Sequence, residues 1–228
     1  MDPKQANQPM DEARGGPIRT LLLVGIVAAA AAFMVSASHE FSKERIAANE
    51  RARLIASLNS VLDPTLRSHD LSTVRLNVTD RELLGTGEPV DVFVAMDAGT
   101  PAAVVFASVA PHGYNAPIRM LIGVSPAGAL TGVRVVRHRE TPGLGDAIDA
   151  DKSKWILQFS GLSLAMPPLP QWAVDKDDGQ FDTITGATVT SRAVVQGVKN
   201  TLLYFEQHRD EVFASAVTAN ANRTDASP

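Results

Sequence analysis

The chain has 228 residues, 45% hydrophobic and 20% charged, with 16 Gly and 14 Pro, a balance that supports one folded domain with appendages and excludes disordered and collagen-like chains. A formal net charge of −4 provides no basic face for neutralising phosphates, so nucleic acid is excluded as a partner. The absence of cysteine removes disulfides, thiolate nucleophiles, Cys-ligated iron–sulfur clusters and thioether-linked haem. His39, His69, His112, His138 and His208 are too dispersed for a local ligand motif, so no metal is expected from one. An electron-carrying role would then fall to an organic cofactor or to a metal site assembled from distant residues.

The first element is the uncharged run Leu21–Ala37, LLLVGIVAAAAAFMVSA. A membrane-spanning helix needs roughly 17–25 such residues and the core of a cleaved signal about 7–15, so the length favours an anchor over 19–38. The small residues Val35-Ser36-Ala37 keep a cleaved signal open as the alternative. Basic residues flank the run on both sides, but a long downstream domain tends to be translocated, which places residues 1–18 in the cytoplasm and the domain outside. From Phe41 to Leu62, apolar Ile46, Leu54, Ile55, Leu58, Val61 and Leu62 recur among charged residues as in an amphipathic stalk helix, stopped by Asp63-Pro64. A linker then completes the segment 39–89.

Four β-rich runs follow, Val90–Met96, Ala103–Val109, Ile118–Val124 and Leu130–Val136. The turn sequences Asp97-Ala98-Gly99-Thr100-Pro101 and Ser125-Pro126-Ala127-Gly128 predict antiparallel pairing. Ala147–Phe159 reads as a helix with Trp155, Ile156 and Phe159 on one side, and Trp172-Ala173-Val174 as a short strand. Ser191 to about Phe213 is the strongest helix after the anchor, with Val194, Val195, Val198, Leu202 and Phe205 on one face. The expected fold is α+β: an N-terminal transmembrane helix and stalk helix, then a small antiparallel sheet packed with helices over 90–213. The small polar residues toward Pro228 predict a disordered tail over 214–228.

Chemistry concentrates just before the last helix, in Asp182-Thr183-Ile184-Thr185-Gly186-Ala187-Thr188-Val189-Thr190-Ser191. Unpaired N–H groups and the dipole at a helix start favour a phosphate. Gly186 permits close backbone approach, Ala187 adds little bulk, and Thr185, Thr188, Thr190 and Ser191 supply hydroxyls. On local physics alone, ordinary N-capping is the favoured explanation of such a cluster. A second segment, Glu140-Thr141-Pro142-Gly143-Leu144-Gly145-Asp146, reads as a tight loop that either lines a flat ring or simply turns the chain. Trp155 and Trp172 are taken as core, and His112 and His138 show no partner that would make them an acid or a base.

TGAT at 185–188, with Asp182 three positions before Thr185, resembles the recognition motif of covalently flavinylated FMN-binding domains. ETPGLGD at 140–146 resembles the loop that accompanies it, and the two together are more specific than either alone. The order of features, with GYxxxI at 113–118, Trp155, Trp172-Ala173-Val174 and FDxxTGATxT at 181–190, is similar to that of the single-anchor FMN subunits of Rnf-type ion-translocating electron transport complexes. The resemblance covers about 113–205 well and is weak before Val90. It implies FMN esterified to Thr188 by a flavin transferase that reads Asp182. It also implies a phosphate near Thr185, Gly186, Ala187 and Thr190, and a ring approached by Glu140, Thr141, Gly143 and Leu144. By the same resemblance the chain is an electron carrier among the other members of a bacterial inner-membrane complex, with its flavin on the periplasmic side and no stand-alone active site. The equivalent FMN subunit of the sodium-pumping NADH:quinone reductase, and a flavin-free periplasmic scaffold in which TGAT is only a helix cap, are the alternatives.

Overall fold

Apolar residues alternate along the central strands so that both faces of one sheet are buried, and this alternation organises the domain. The computed structural model describes residues 21–28, 56–62 and 72–225. Strands β1 (Ser72–Asp80), β2 (Thr86–Asp97), β3 (Thr100–Ala110), β4 (Ile118–Val124) and β5 (Leu130–Arg137) form a five-stranded antiparallel meander in chain order. The two predicted hairpins are present. Ala98 and Gly99 take positive φ between β2 and β3, and Gly128, at φ 85°, closes the turn between β4 and β5 by donating to Ser125 O at 2.9 Å.

The sheet's two faces carry different cores. Val92, Val94, Met96, Val104, Phe106, Met120 and Ile122 point toward the C-terminal helix α1 (Thr188–Asp225), which buries Val194, Val195, Val198, Leu202 and Phe205 in the same cluster. Those helical positions are the ones the sequence places on one face. The intervening residues Phe93, Ala95, Ala103, Val105 and Leu121 face the other way and are covered by Leu58, Val61 and Leu62. Residues 56–61 are helical, and Thr131 Oγ1 donates to Val61 O at 2.6 Å, which fixes this segment to β5.

The structure departs from the sequence reading at several places. β1 adds an edge strand within the stretch read as linker. The helix expected over 147–159 is instead two 3₁₀ turns, Gly145–Ile148 and Trp155–Phe159, that bury Ile148, Ile156 and Phe159. Between them Ser153 Oγ donates to Ala147 O at 2.6 Å and accepts from Trp155 N at 3.0 Å, side-chain bonds that replace a continuous helical ladder. Trp172-Ala173-Val174 forms no strand beyond a single parallel bridge, Val174 to Phe181. Helix α1 continues to Asp225, through most of the expected tail, because Val212 and Ala216 are buried and the alanine-rich sequence favours helix.

Residues 21–28 are helical with exposed side chains and belong to a compact unit separate from the one that begins at Leu54. Among the described residues no helix is long and apolar enough to cross a membrane. The remainder of the run to Ala37, and the proposed stalk from Phe41 to Ile55, lie outside the described residues.

Candidate functional site

The turn Ile184–Ala187 delivers the chain into α1. Ala187 N donates to Ile184 O at 2.9 Å, and Gly186 takes φ 79°, a left-handed conformation that a residue with a Cβ enters only with strain. Ser191 closes the turn: its Oγ donates to Ala187 O at 3.1 Å and accepts from Ile184 N at 3.0 Å. Ser191 therefore ties the turn to the first part of the helix, and the Thr188 hydroxyl takes no part in that link.

The remaining hydroxyls of the cluster divide by direction. Thr190 is buried and donates its hydroxyl to Glu140 Oε2. Thr183 donates to Asp175 Oδ1. Thr185 lies exposed on the turn. Thr188, half-buried at the first position of the helix, accepts a hydrogen bond from Lys176 Nζ at 3.1 Å.

Thr188 opens onto a cleft of about 500 Å³ lined by Tyr114, Glu140, Leu144, Lys176, Gly186 and Thr190, among others. This places the two sequence motifs against each other. Gly186 sits under Leu144, whose Cδ2 lies 3.1 Å from where a Cβ on residue 186 would be. Gly145 is packed as tightly, since a Cβ there would stand 2.9 Å from Glu140 Cβ and 3.2 Å from Thr190 Oγ1. Glu140, only 4% exposed, turns its carboxylate away from solvent to accept from Tyr114 N and Asn115 N, each at 3.1 Å, and from Thr190. Its backbone N–H donates to His138 Nδ1 at 3.1 Å. With Nδ1 accepting, the ring proton lies on Nε2, facing Asp149 Oδ2 at 3.0 Å. His138 thus has the partners that sequence alone does not reveal, and they make it a support for the loop.

Of the residues singled out in the sequence, Thr188, Gly186, Ala187, Thr190, Glu140, Thr141 and Leu144 line the cleft. Asp182, Thr185 and Gly143 do not. Gly143 supplies a positive φ of 77° in the loop. Asp182 is exposed, its carbonyl accepting from Trp155 Nε1 at 2.7 Å and its N–H donating to Gln158 Oε1 at 3.0 Å. Trp155, read as core, is only partly buried and braces the Asp182 segment, whereas Trp172 is fully buried and donates to Pro167 O at 3.1 Å.

Tyr114 and Lys176 are functional candidates that sequence reasoning did not select. Tyr114 lies within the GYxxxI pattern and exposes 67% of its surface at the cleft. Lys176 occupies the acidic run Asp175-Lys176-Asp177-Asp178, and its one signal is a lone cation in such a run twelve residues before Thr188.

Residues 113–203 match the family of FMN-binding domains. The chain is 36% identical to the G subunit of the ion-translocating oxidoreductase complex of Shewanella baltica over 205 residues, covering 90% of this chain and 97% of that one. It is 38% identical to the corresponding G subunit of Vibrio atlanticus over 193 residues, covering 85% and 92%. The G subunit of Vibrio cholerae is 37% identical over 191 residues, with 84% and 91% covered. With a relationship of this extent over nearly the whole length of these proteins, the chain belongs to the G-subunit family of Rnf-type ion-translocating oxidoreductase complexes and contains the FMN-binding domain.

Proposed function

We propose that the domain carries FMN esterified through its phosphate to Thr188 Oγ1 and serves as an electron-transfer subunit of a membrane-bound ion-translocating oxidoreductase. The observation that carries this reading is the division of hydroxyls at the start of α1. Ser191 and Thr190 bond inward to the protein, whereas Thr188 faces the cleft beside a cation.

The residues present fit the group. A phosphate at Thr188 would meet the helix N-terminus and Lys176, both favourable for negative charge. The exposed side chains of Tyr114, Leu144 and Val189 give the cleft apolar surface suited to a flat ring. A volume of about 500 Å³ falls in the ordinary range of small-molecule sites. Bound in this way, FMN supplies one- or two-electron redox chemistry. The chain's own residues orient the attachment point: Glu140 and Thr190 hold the loop against the helix, and the ester would prevent loss of the cofactor.

The names of the relatives support a place in an ion-translocating oxidoreductase complex, and the remaining parts of the reading rest on the sequence motifs and the apolar run. The chain acts with other subunits in a complex that exchanges electrons between NADH and ferredoxin and couples this to ion movement. The run from Leu21 to Ala37 anchors it in a bacterial inner membrane, with its N-terminus inside and the flavin domain in the periplasm. A flavin transferase matures it.

The test is intact mass of the protein from cells containing its native transferase, with peptide mapping of 182–192. The expected result is added FMN on Thr188, and a folded, flavin-free Thr188→Ala protein. Flavin absorbance that survives denaturation of T188A would overturn the attachment site. An unmodified wild-type chain would favour a flavin-free scaffold.

A further inference from the structure

Three consecutive residues, Asp175, Lys176 and Asp177, each send a side chain to a different part of the attachment region. Asp175 accepts from Thr183. Lys176 donates to Thr188 Oγ1 at 3.1 Å. Asp177 forms a two-pronged ion pair with Arg192 in the early turns of α1, at 2.5 and 2.6 Å. The segment is a 3₁₀ turn whose ends are also fixed by backbone bonds, Asp175 N to Phe181 O at 2.7 Å and Asp177 N to Val174 O at 2.9 Å. An exposed lysine is ordinarily mobile, and here the backbone beneath it is clamped on both sides.

The position is electrostatically unfavourable in the absence of an anion. A helix N-terminus carries partial positive charge, so a cation beside its first residue is repelled. Asp175 offsets part of this through its Coulombic attraction to Lys176, but the carboxylates of Asp175 and Asp177 make their side-chain bonds to Thr183 and Arg192, and the ammonium itself is directed to Thr188. The arrangement becomes favourable once a phosphate sits between the ammonium and the helix start.

We infer that Lys176 is a positioning residue for flavin attachment, orienting the Thr188 hydroxyl for esterification and then holding the phosphodiester. This inference rests on Thr188 as the attachment point. Free FMN has no good leaving group, so the donor must be an activated flavin phosphate, a pyrophosphate of FMN. The Thr188 oxygen forms a new O–P bond, the pyrophosphate P–O bond breaks, the departing monophosphate takes the electron pair, and the hydroxyl proton passes to a base of the transferase. No oxidation or reduction occurs. Lys176 holds the attacking oxygen in place through its hydrogen bond, and its charge favours approach of the anionic donor. After the step the ammonium is within reach of the non-bridging phosphate oxygens.

The experiment uses the full chain, the native transferase and the flavin pyrophosphate donor, comparing wild type, K176Q and K176R. Modification is followed by intact mass, and the product by phosphorus NMR. Loss of one charge-assisted hydrogen bond predicts K176Q modified about tenfold more slowly, with K176R largely restored. The phosphodiester resonance should move in K176Q and less in K176R. Wild-type and K176Q chains modified at equal rates with the same phosphorus shift would overturn the proposal while leaving Thr188 as the site. A wild type that takes up no flavin at Thr188 would overturn both.

Discussion

Thr190 donates its hydroxyl to the carboxylate of Glu140, a residue 50 positions earlier, and this contact joins the loop of 140–146 to the start of α1. Glu140 also receives the N–H groups of Tyr114 and Asn115, so three chain segments meet on one buried acid. In E140Q the amide nitrogen must face one of these donors, whichever way the side chain turns. The expected cost is about 1–3 kcal/mol in urea unfolding, with T190V costing less. Because the two groups are partners, the double variant should lose less than the sum of the single ones.

Gly186 and Leu144 are the second point at which the two motifs interlock. In G186A the methyl group would stand 3.1 Å from Leu144 Cδ2, on a backbone already at φ 79°. The left-handed conformation alone is expected to cost about 1–2 kcal/mol, lowering the thermal midpoint by several degrees. Displacement of Leu144 from the cleft should also reduce flavin loading. A G186A protein with wild-type melting and loading would show that the turn relaxes freely.

Local pattern made part of this architecture legible. β2 to β5 are apolar runs separated by turn sequences, and the apolar stripe of α1 from Val194 to Phe205 keeps a helical period. β1 escaped notice because it is an edge strand whose outer face carries Arg75, Asn77 and Thr79 among short apolar residues. Its polar face is stabilised by cross-strand bonds from Arg75 and Asn77 to Asp91, a pairing that no local window contains. The segment 147–159 misled because Trp155, Ile156 and Phe159 match a helical spacing but occupy a single short 3₁₀ turn, separate from the one at Gly145–Ile148. TGAT and ETPGLGD were visible as motifs, but Lys176 reaches Thr188 only through the fold between Val174 and Phe181.

The clamp around Lys176 has a pH signature. Asp177 is held below its ordinary carboxylate value first by the hydrogen bonds of Arg192, and Asp175 first by the hydroxyl of Thr183. An acid whose folded value is depressed contributes its full stabilisation above the unfolded value and loses it as pH falls through the folded one. The clamp is therefore expected intact from about pH 5 upward and to open only on strong acidification. Carboxyl carbon NMR titration should place both midpoints below that of a free aspartate. R192M should return Asp177, and T183V should return Asp175, to the ordinary range.

The segment 56–62 closes the second face of the sheet over two glycines. A Cβ on Gly123 would meet Thr131 Oγ1 and lie 2.5 Å from Val61 O, and one on Gly132 would lie 3.0 Å from Val61 Cα. The backbone of Val61 passes directly above both positions, where Thr131 bonds to it at 2.6 Å. G123A cannot keep this approach, so the segment should lift and expose Leu58, Val61 and Leu62. Each such side chain contributes about 1.5–3 kcal/mol when buried, enough to make release visible as faster amide exchange at Leu62 and as new protease cleavage. T131V should act in the same direction by about 1 kcal/mol. The core shared with α1 lies on the opposite face, so flavin loading at Thr188 should persist in G123A. Unchanged exchange at Leu62 would show that the sheet yields instead of the segment, whereas loss of loading would show that the two faces are mechanically linked.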